Sequence, residues 1–314
     1  MTRPEILVLV MLAMARPLAA QVTPASTPSV ATATTAIRAL AEIAIDGLDT
    51  DAAWQDGRAV DGFRQFDPEL DADPSQRTEF RVAYDEEDLY VYVRAFDTHP
   101  DSIMRALTRR DVRGPSDQIG VMIDSYHDRR TGFGFWVNPD GVKRDFAFSG
   151  DENQDESWDG VWDVETSVDG LGWTAEFRIP LSQLRYAAAE RHTFGFGVRR
   201  QIERGPEGLS WPPYSRTTPG IMSQLGTLEG LEGLGRSNRL EVTPYAVTKN
   251  VTRAGTSGGF EHPQELSAGA DVKLGITPNL TLNASVNPDF GQVEADPAEV
   301  NLSAFETFFG ERRP

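Results

Sequence analysis

Cysteine is absent from the 314 residues. That removes disulfides, thiolate-bound zinc and thiol catalysis from the possible chemistries. Histidine is scarce: the four, His99, His127, His192 and His262, lie far apart. None forms the His-Glu-x-x-His pair of a helical zinc protease. No apolar run reaches the roughly 20 residues that a membrane-spanning helix needs. Basic residues are in deficit, with 30 Lys and Arg against 48 Asp and Glu and a formal net charge of −18. Such a chain repels a phosphate backbone, so no nucleic acid is expected as a partner. Neutral ligands and divalent cations stay compatible with it.

What is present begins with an export signal. Residues 1–20 read as a signal peptide. Arg3 supplies its positive start, Ile6 to Ala15 its short apolar run, and Leu18-Ala19-Ala20 the small residues before a cut. Cleavage after Ala20 and delivery to a bacterial cell envelope are expected. Residues 21–36 are rich in Pro, Ser, Thr and Ala and carry no charge. They cannot build a core and read as a flexible linker.

From Ile37 to Gly230 the apolar residues recur with period two and turn residues interrupt them. This pattern predicts an all-β domain, a two-sheet antiparallel β-sandwich over residues 37–230. Residues 79–97 read as a hairpin around Asp85-Glu86-Glu87-Asp88. Further strands are expected at Gln118–Asp124, Gly132–Asn138, Arg144–Phe148, Trp162–Val168, Trp173–Ile179 and Phe194–Ile202. The best helical signal is a single turn at Pro180–Leu184.

Alternation also sorts side chains by face. Phe133, Phe135 and Val137 oppose Gly134, Trp136 and Asn138, while Phe194, Phe196 and Val198 oppose Gly195, Gly197, Arg199 and Gln201. If these strands share a sheet, Trp136, Asn138, Arg199 and Gln201 gather on one face beside glycines. Glycine lets a ligand approach the backbone. An indole stacks on a sugar ring, and amide and guanidinium groups bond its hydroxyls. These four residues are therefore candidate carbohydrate contacts, and Trp211, in Trp211-Pro212-Pro213-Tyr214, is a fifth. The bland alternative is that Trp136 packs under a loop. Trp54, Trp162 and Trp173 are expected in the core.

The densest acidic run is Asp151-Glu152-Asn153-Gln154-Asp155-Glu156-Ser157-Trp158-Asp159. Oxygen ligands at alternate positions suit Ca2+, so Asp151, Asn153 and Asp155 are its candidate ligands. The run is not an EF-hand, because Glu156 stands where that loop needs Gly and Trp162 where it needs Glu. A solvated turn is the alternative. Gly255-Thr256-Ser257-Gly258-Gly259 matches a nucleophile-elbow string but lacks the strand-to-helix setting that chemistry requires.

Residues 231–314 differ in character. Leu266, Ala268, Ala270, Val272, Leu274 and Ile276 alternate with polar residues or glycine, and Leu280, Leu282, Ala284 and Val286 repeat the pattern after Thr277-Pro278-Asn279. Strands of about ten residues, apolar on one side, match the opening hairpin of an outer-membrane-type β-barrel. Leu240–Thr248 fits as a preceding strand despite Pro244.

Several stretches resemble family 9 carbohydrate-binding modules in the expected order. They are Ile45-Asp46-Gly47-Leu48-Asp49 with Trp54, then Phe80 to Asp85 with Asp88 to Val93. Asp117 to Asp124, Gly172 to Pro180, and Phe194 to Val198 follow. The resemblance implies a sandwich that holds polysaccharide or oligosaccharide in some members, often with calcium. By that analogy alone Asp46, Asp49, Asp117 and Asp124 are alternative calcium ligands. The family's pair of sugar-clasping tryptophans is missing: the corresponding stretches Val112–Ser116 and Thr217–Gln224 hold no Trp. Asn287-Pro288-Asp289-Phe290-Gly291-Gln292-Val293-Glu294-Ala295-Asp296-Pro297, with Phe308-Phe309-Gly310-Glu311-Arg312-Arg313-Pro314, resembles uncharacterised bacterial outer-membrane proteins that carry such a module ahead of a long barrel. That resemblance implies an incomplete barrel segment and more chain beyond Pro314.

Three functions follow as expectations. One is a glycan-binding sandwich on an outer-membrane barrel, for capture or uptake. Another is a glycoside hydrolase or an accessory of carbohydrate catabolism, although 48 acidic residues cannot single out a catalytic pair. The last is a structural plug or interaction domain that binds no sugar.

Overall fold

The structure is a computed structural model that describes residues 32–235, 240–250, 253–254, 260–261, 264–277 and 280–287. The expected signal peptide, most of the linker, the Gly255–Gly259 string and the 288–314 motif lie outside the described residues.

The sandwich begins with β1 (Ala33–Thr35), β2 (Ile37–Arg38), a helical turn α1 (Ala52–Asp56) and β3 (Arg64–Asp67). β4 (Thr78–Tyr84), β5 (Asp88–Phe96), β6 (Gln118–Asp124), β7 (Gly132–Val137), β8 (Lys143–Ser149) and β9 (Asn153–Asp155) follow. It closes with β10 (Asp163–Asp169), β11 (Gly172–Pro180), β12 (Arg191–Ile202), β13 (Glu207–Trp211) and β14 (Gly226–Glu232). The larger sheet runs β1-β14-β12-β6-β7-β8-β9, with β13 also on β12 and β3 on β13; the smaller runs β10-β11-β5-β4-β2. β1 on β14 and β2 on β4 are parallel; the other pairs in the two sheets are antiparallel.

The period-two side chains of the two sheets meet between them. Phe80 of the smaller sheet lies 5.7 Å from Phe196 and 5.0 Å from Trp211 of the larger. Trp162 stacks on Phe177 at 5.8 Å and meets Phe135 edge-on at 5.4 Å. β6 is buried at every position, because side chains from neighbouring elements also cover its outer face. A second cluster on the outside of the smaller sheet joins Ile43, Trp54, Ala83, Tyr90 and Tyr92. Trp54, Trp162 and Trp173 are all buried, as expected.

Residues 33–36 do not belong to the flexible linker. Ala33, Thr34 and Thr35 pair with Thr227, Leu228 and Glu229. Adding a strand to a sheet edge takes backbone hydrogen bonds, not apolar side chains, so composition could not show it. The C-terminal strands β15 (Leu240–Asn250), β18 (Gln264–Thr277) and β19 (Leu280–Val286) form a separate antiparallel sheet, and β16 (Arg253–Ala254) pairs with β17 (Phe260–Glu261). Pro244 sits opposite Ala270 inside β15. β15 lies at the edge of its sheet, where a missing N–H is tolerated.

Candidate ligand face on the larger sheet

The expected face exists. Register places Arg144 opposite Trp136, Trp136 opposite Gly120, Gly120 opposite Arg199, and Arg199 opposite Ser210. Successive side chains on a strand alternate between faces, so Arg144, Trp136, Arg199 and Ser210 form one row across the outside of the sheet. In the next row Gln118 faces Gln201, and Asn138 follows the end of β7.

Trp136 is half-buried. Its indole lies against the backbone of Gly120, where a Cβ would collide with three ring atoms. Trp136 also borders a depression that Val112, Gly114, Gln118 and Arg144 line. About 10 Å³ of that depression admits the centre of a water molecule, room for about one water. A ligand on this face therefore lies across it and not inside a pocket.

The glycines do not form an open floor. Gly120 lies under Trp136, Gly134 under Phe146, Gly197 against Leu225, and Gly195 beside Asp124. Each makes room for a neighbouring side chain, which corrects the expectation that they admit a ligand to the backbone.

Arg199 lies over the Tyr214 ring at 4.0 Å and near Phe66 at 5.4 Å. Burial pushes its guanidinium below its ordinary value. Arg144 lies over Phe146 at 5.2 Å, and burial lowers it likewise. Gln201 accepts a 2.6 Å hydrogen bond from Arg113. Arg144, Arg113 and Tyr214 were not singled out from the sequence. The period of β8, read across the Asn138–Lys143 turn, could have found Arg144.

Two expected contacts are elsewhere engaged. Asn138 is 3% exposed. Its Oδ1 accepts from the backbone N–H of Asp140 and Val142 at 3.0 and 2.9 Å, and its Nδ2 donates to Ala106 at 2.7 Å. Its amide holds the β7–β8 turn, and burial keeps the remaining N–H from a sugar. Trp211 is 0% exposed, because β13 pairs with β12 and turns this ring inward onto Phe80. It is a core residue.

The acidic run does not form a metal cage. Asp151 Oδ1 accepts from the Ile221 and Ser223 N–H groups at 3.0 and 2.8 Å, while Asp155 Oδ1 accepts from Ser157. Burial opposes the Asp151 charge, but those donors prevail and hold its carboxyl below the usual range. Asn153 is exposed. Asp151 and Asp155 thus serve different local turns. Among the described residues no group of three or more Asp, Glu or His side chains is placed to hold a metal ion. These residues do not fit Ca2+ as arranged. Asp46, Asp49, Asp117 and Asp124 fare no better, and Asp124 spends its carboxylate on the Asp128 and Arg129 N–H groups.

Two stacked sheets, with aromatic and guanidinium groups ranged on the outside of the larger one, place the chain among β-sandwich domains of ligand-module type. Residues 45–204 match the family described as carbohydrate family 9 binding domain-like, and the chain belongs to that family. Residues 237–314 match a domain of unknown function, DUF5916. Among solved structures, a "putative carbohydrate-binding protein" of Bacteroides uniformis ATCC 8492 is similar at a TM-score of 0.51 and 14% identity, over 63% of this chain and 99% of that one. A family 9 carbohydrate-binding module of Caldicellulosiruptor kristjanssonii in complex with cellotriose is similar at a TM-score of 0.46 and 15% identity, over 65% and 94%. At 14% identity the Bacteroides likeness shows the fold alone. No curated protein matches the chain.

Proposed function

We propose that this chain is a non-catalytic glycan-binding protein of the bacterial cell envelope. The outer face of its larger sheet takes a polysaccharide or oligosaccharide, and its C-terminal strands open an outer-membrane β-barrel, for glycan capture or uptake. One observation carries the glycan reading: a half-buried tryptophan, backed by glycine, stands in register between two arginines on a face that a sugar chain can cross. Family membership supports it. The barrel reading is supported by the β15-β18-β19 sheet, whose apolar residues fall in register on one face. Val242 opposite Val272 and Leu274 opposite Leu282 are examples. Val242, Leu266, Leu274, Leu282 and Val286 are all exposed.

The experiment is a glycan array probed with the chain and with Trp136→Ala. The reading expects a bound glycan whose signal falls at least tenfold in the variant. The occupied glycines and the engaged Asn138 favour a second reading, an interaction domain without a sugar ligand. An array without any hit would select it.

A further inference from the structure

We propose that the glycan this face binds is anionic, a polysaccharide bearing uronate carboxylates or sulfate esters. The inference rests on the platform reading and adds the charge class of its ligand.

Arg144 and Arg199 stand on either side of Trp136 in the cross-strand row. Other arginines near this face are paired: Arg64 with Asp71 and Asp73, Arg113 with Glu203, and Arg110 with Asp145. Arg144 and Arg199 form no ion pair with any described carboxylate. Glu156 and Asp111 act on Arg144 only at longer range. Each guanidinium rests on an aromatic ring, Arg144 on Phe146 and Arg199 on Tyr214. Stacking fixes the plane of each group; Tyr214 also bonds the Arg199 guanidinium, but neither ring supplies a counter-charge. The Nε atoms of both arginines and Nε1 of Trp136 are sheltered from solvent without a hydrogen-bond partner. Three N–H groups along one row thus lack a protein acceptor, and two belong to cations. Because these atoms are themselves sheltered, the terminal guanidinium nitrogens are the atoms that a ligand acid would meet.

Sheltering a cation without a counter-charge is costly. A carboxylate or sulfate relieves that cost and accepts two parallel hydrogen bonds from one guanidinium. The two arginines are three strand spacings apart, about 14 Å at the usual spacing. That exceeds one sugar ring. Acidic groups on separate sugar residues can therefore meet the two arginines while an intervening ring lies on the indole. The remainder of the chain works against such a ligand, because a net charge of −18 repels a polyanion at long range. Retention of a polyanion would have to come from a local site.

The test is affinity electrophoresis of the full chain through gels containing alginate or polygalacturonate, dextran sulfate, or a neutral soluble glucan. The inference expects retardation by an acidic polymer and at least tenfold weaker binding in the R144Q/R199Q double variant. The carboxylate and sulfate gels distinguish the two acid types. Should the double variant fail to fold, the wild-type preference between acidic and neutral gels still decides. Equal retardation of wild type and folded double variant by the neutral glucan, with none in the acidic gels, overturns the anionic ligand and leaves the platform standing. Retardation in no gel, together with an empty glycan array, overturns both.

Discussion

Glu176 ties the amino-terminal segment to the smaller sheet. It points outward from β11, yet it is 0% exposed. Its carboxylate accepts from Trp54 Nε1 at 2.7 Å, Gly47 N–H at 2.8 Å and Asp46 N–H at 2.9 Å. Asp46, Gly47 and Trp54 thus all answer to one acid 122 to 130 residues further on. Burial is the leading influence on Glu176 and pushes its carboxyl up, against the pull of the three donors. Glu176→Ala would leave an indole N–H and two amides unpaired. It should cost about 3 kcal/mol in a denaturant titration. Asp97 behaves oppositely. Burial raises it, but Arg204, the His99 N–H and Arg200 outweigh that and hold its carboxyl low. A lowered folded-state value gives stability that is present above the ordinary carboxylate range and lost as pH falls through the lowered value. Asp97→Asn should therefore cost on the order of 2 kcal/mol near pH 7. Its melting temperature should approach that of the wild type in acid. A constant gap across pH would contradict the assignment.

At the scale of elements, the hairpins were the legible part. β6 has the same bounds as its sequence pattern, Gln118–Asp124, and β4 and β5 flank the acidic turn as expected. Each carries its own alternation and its own turn. β1, β3 and β14 were not foreseen, because their pairing depends on partners far along the chain; β13 forms a hairpin with β12 but, at five residues, is too short to carry a clear alternation. β14, Gly-Thr-Leu-Glu-Gly-Leu-Glu, shows little apolar alternation and is held by β12 and β1. The same division applies to the site. Alternation alone put Trp136, Arg199 and Gln201 on one face. Asn138 serves a turn through Asp140 and Val142, local contacts that face alternation does not register, whereas the meeting of Trp211 with Phe80 depends on which strands lie adjacent. Gly172 is a position where backbone geometry decides: its φ is +139°, and a Cβ there would strike the Ala95 carbonyl across the β11–β5 pair. Gly172→Ala should destabilise the domain by about 2 kcal/mol or more, read as a shift in denaturant midpoint.

The whole molecule joins a charged sandwich to an amphipathic sheet. Opposite the apolar face of β15-β18-β19 lie register-matched polar positions such as Thr243, Asp271 and Ser285. A sheet with one apolar and one polar face, its apolar residues uncovered, suits the boundary between lipid and a polar lumen. Leu282, 51% exposed in the middle of β19, tests this. If that face meets lipid, a lysine there costs roughly 2–4 kcal/mol near the bilayer midplane. The full chain should float with phospholipid vesicles in a density gradient, and Leu282→Lys should float markedly less. Equal flotation of the two would place that face against something other than lipid.

The sandwich's role depends on whether the outer row of the larger sheet touches a ligand. Isothermal titration of the best array glycan into wild type and Trp136→Ala, with melting temperatures measured in parallel, tests this most directly. The account predicts binding at least tenfold weaker in a variant that melts within a few degrees of wild type. Undiminished affinity in a folded Trp136→Ala would contradict it.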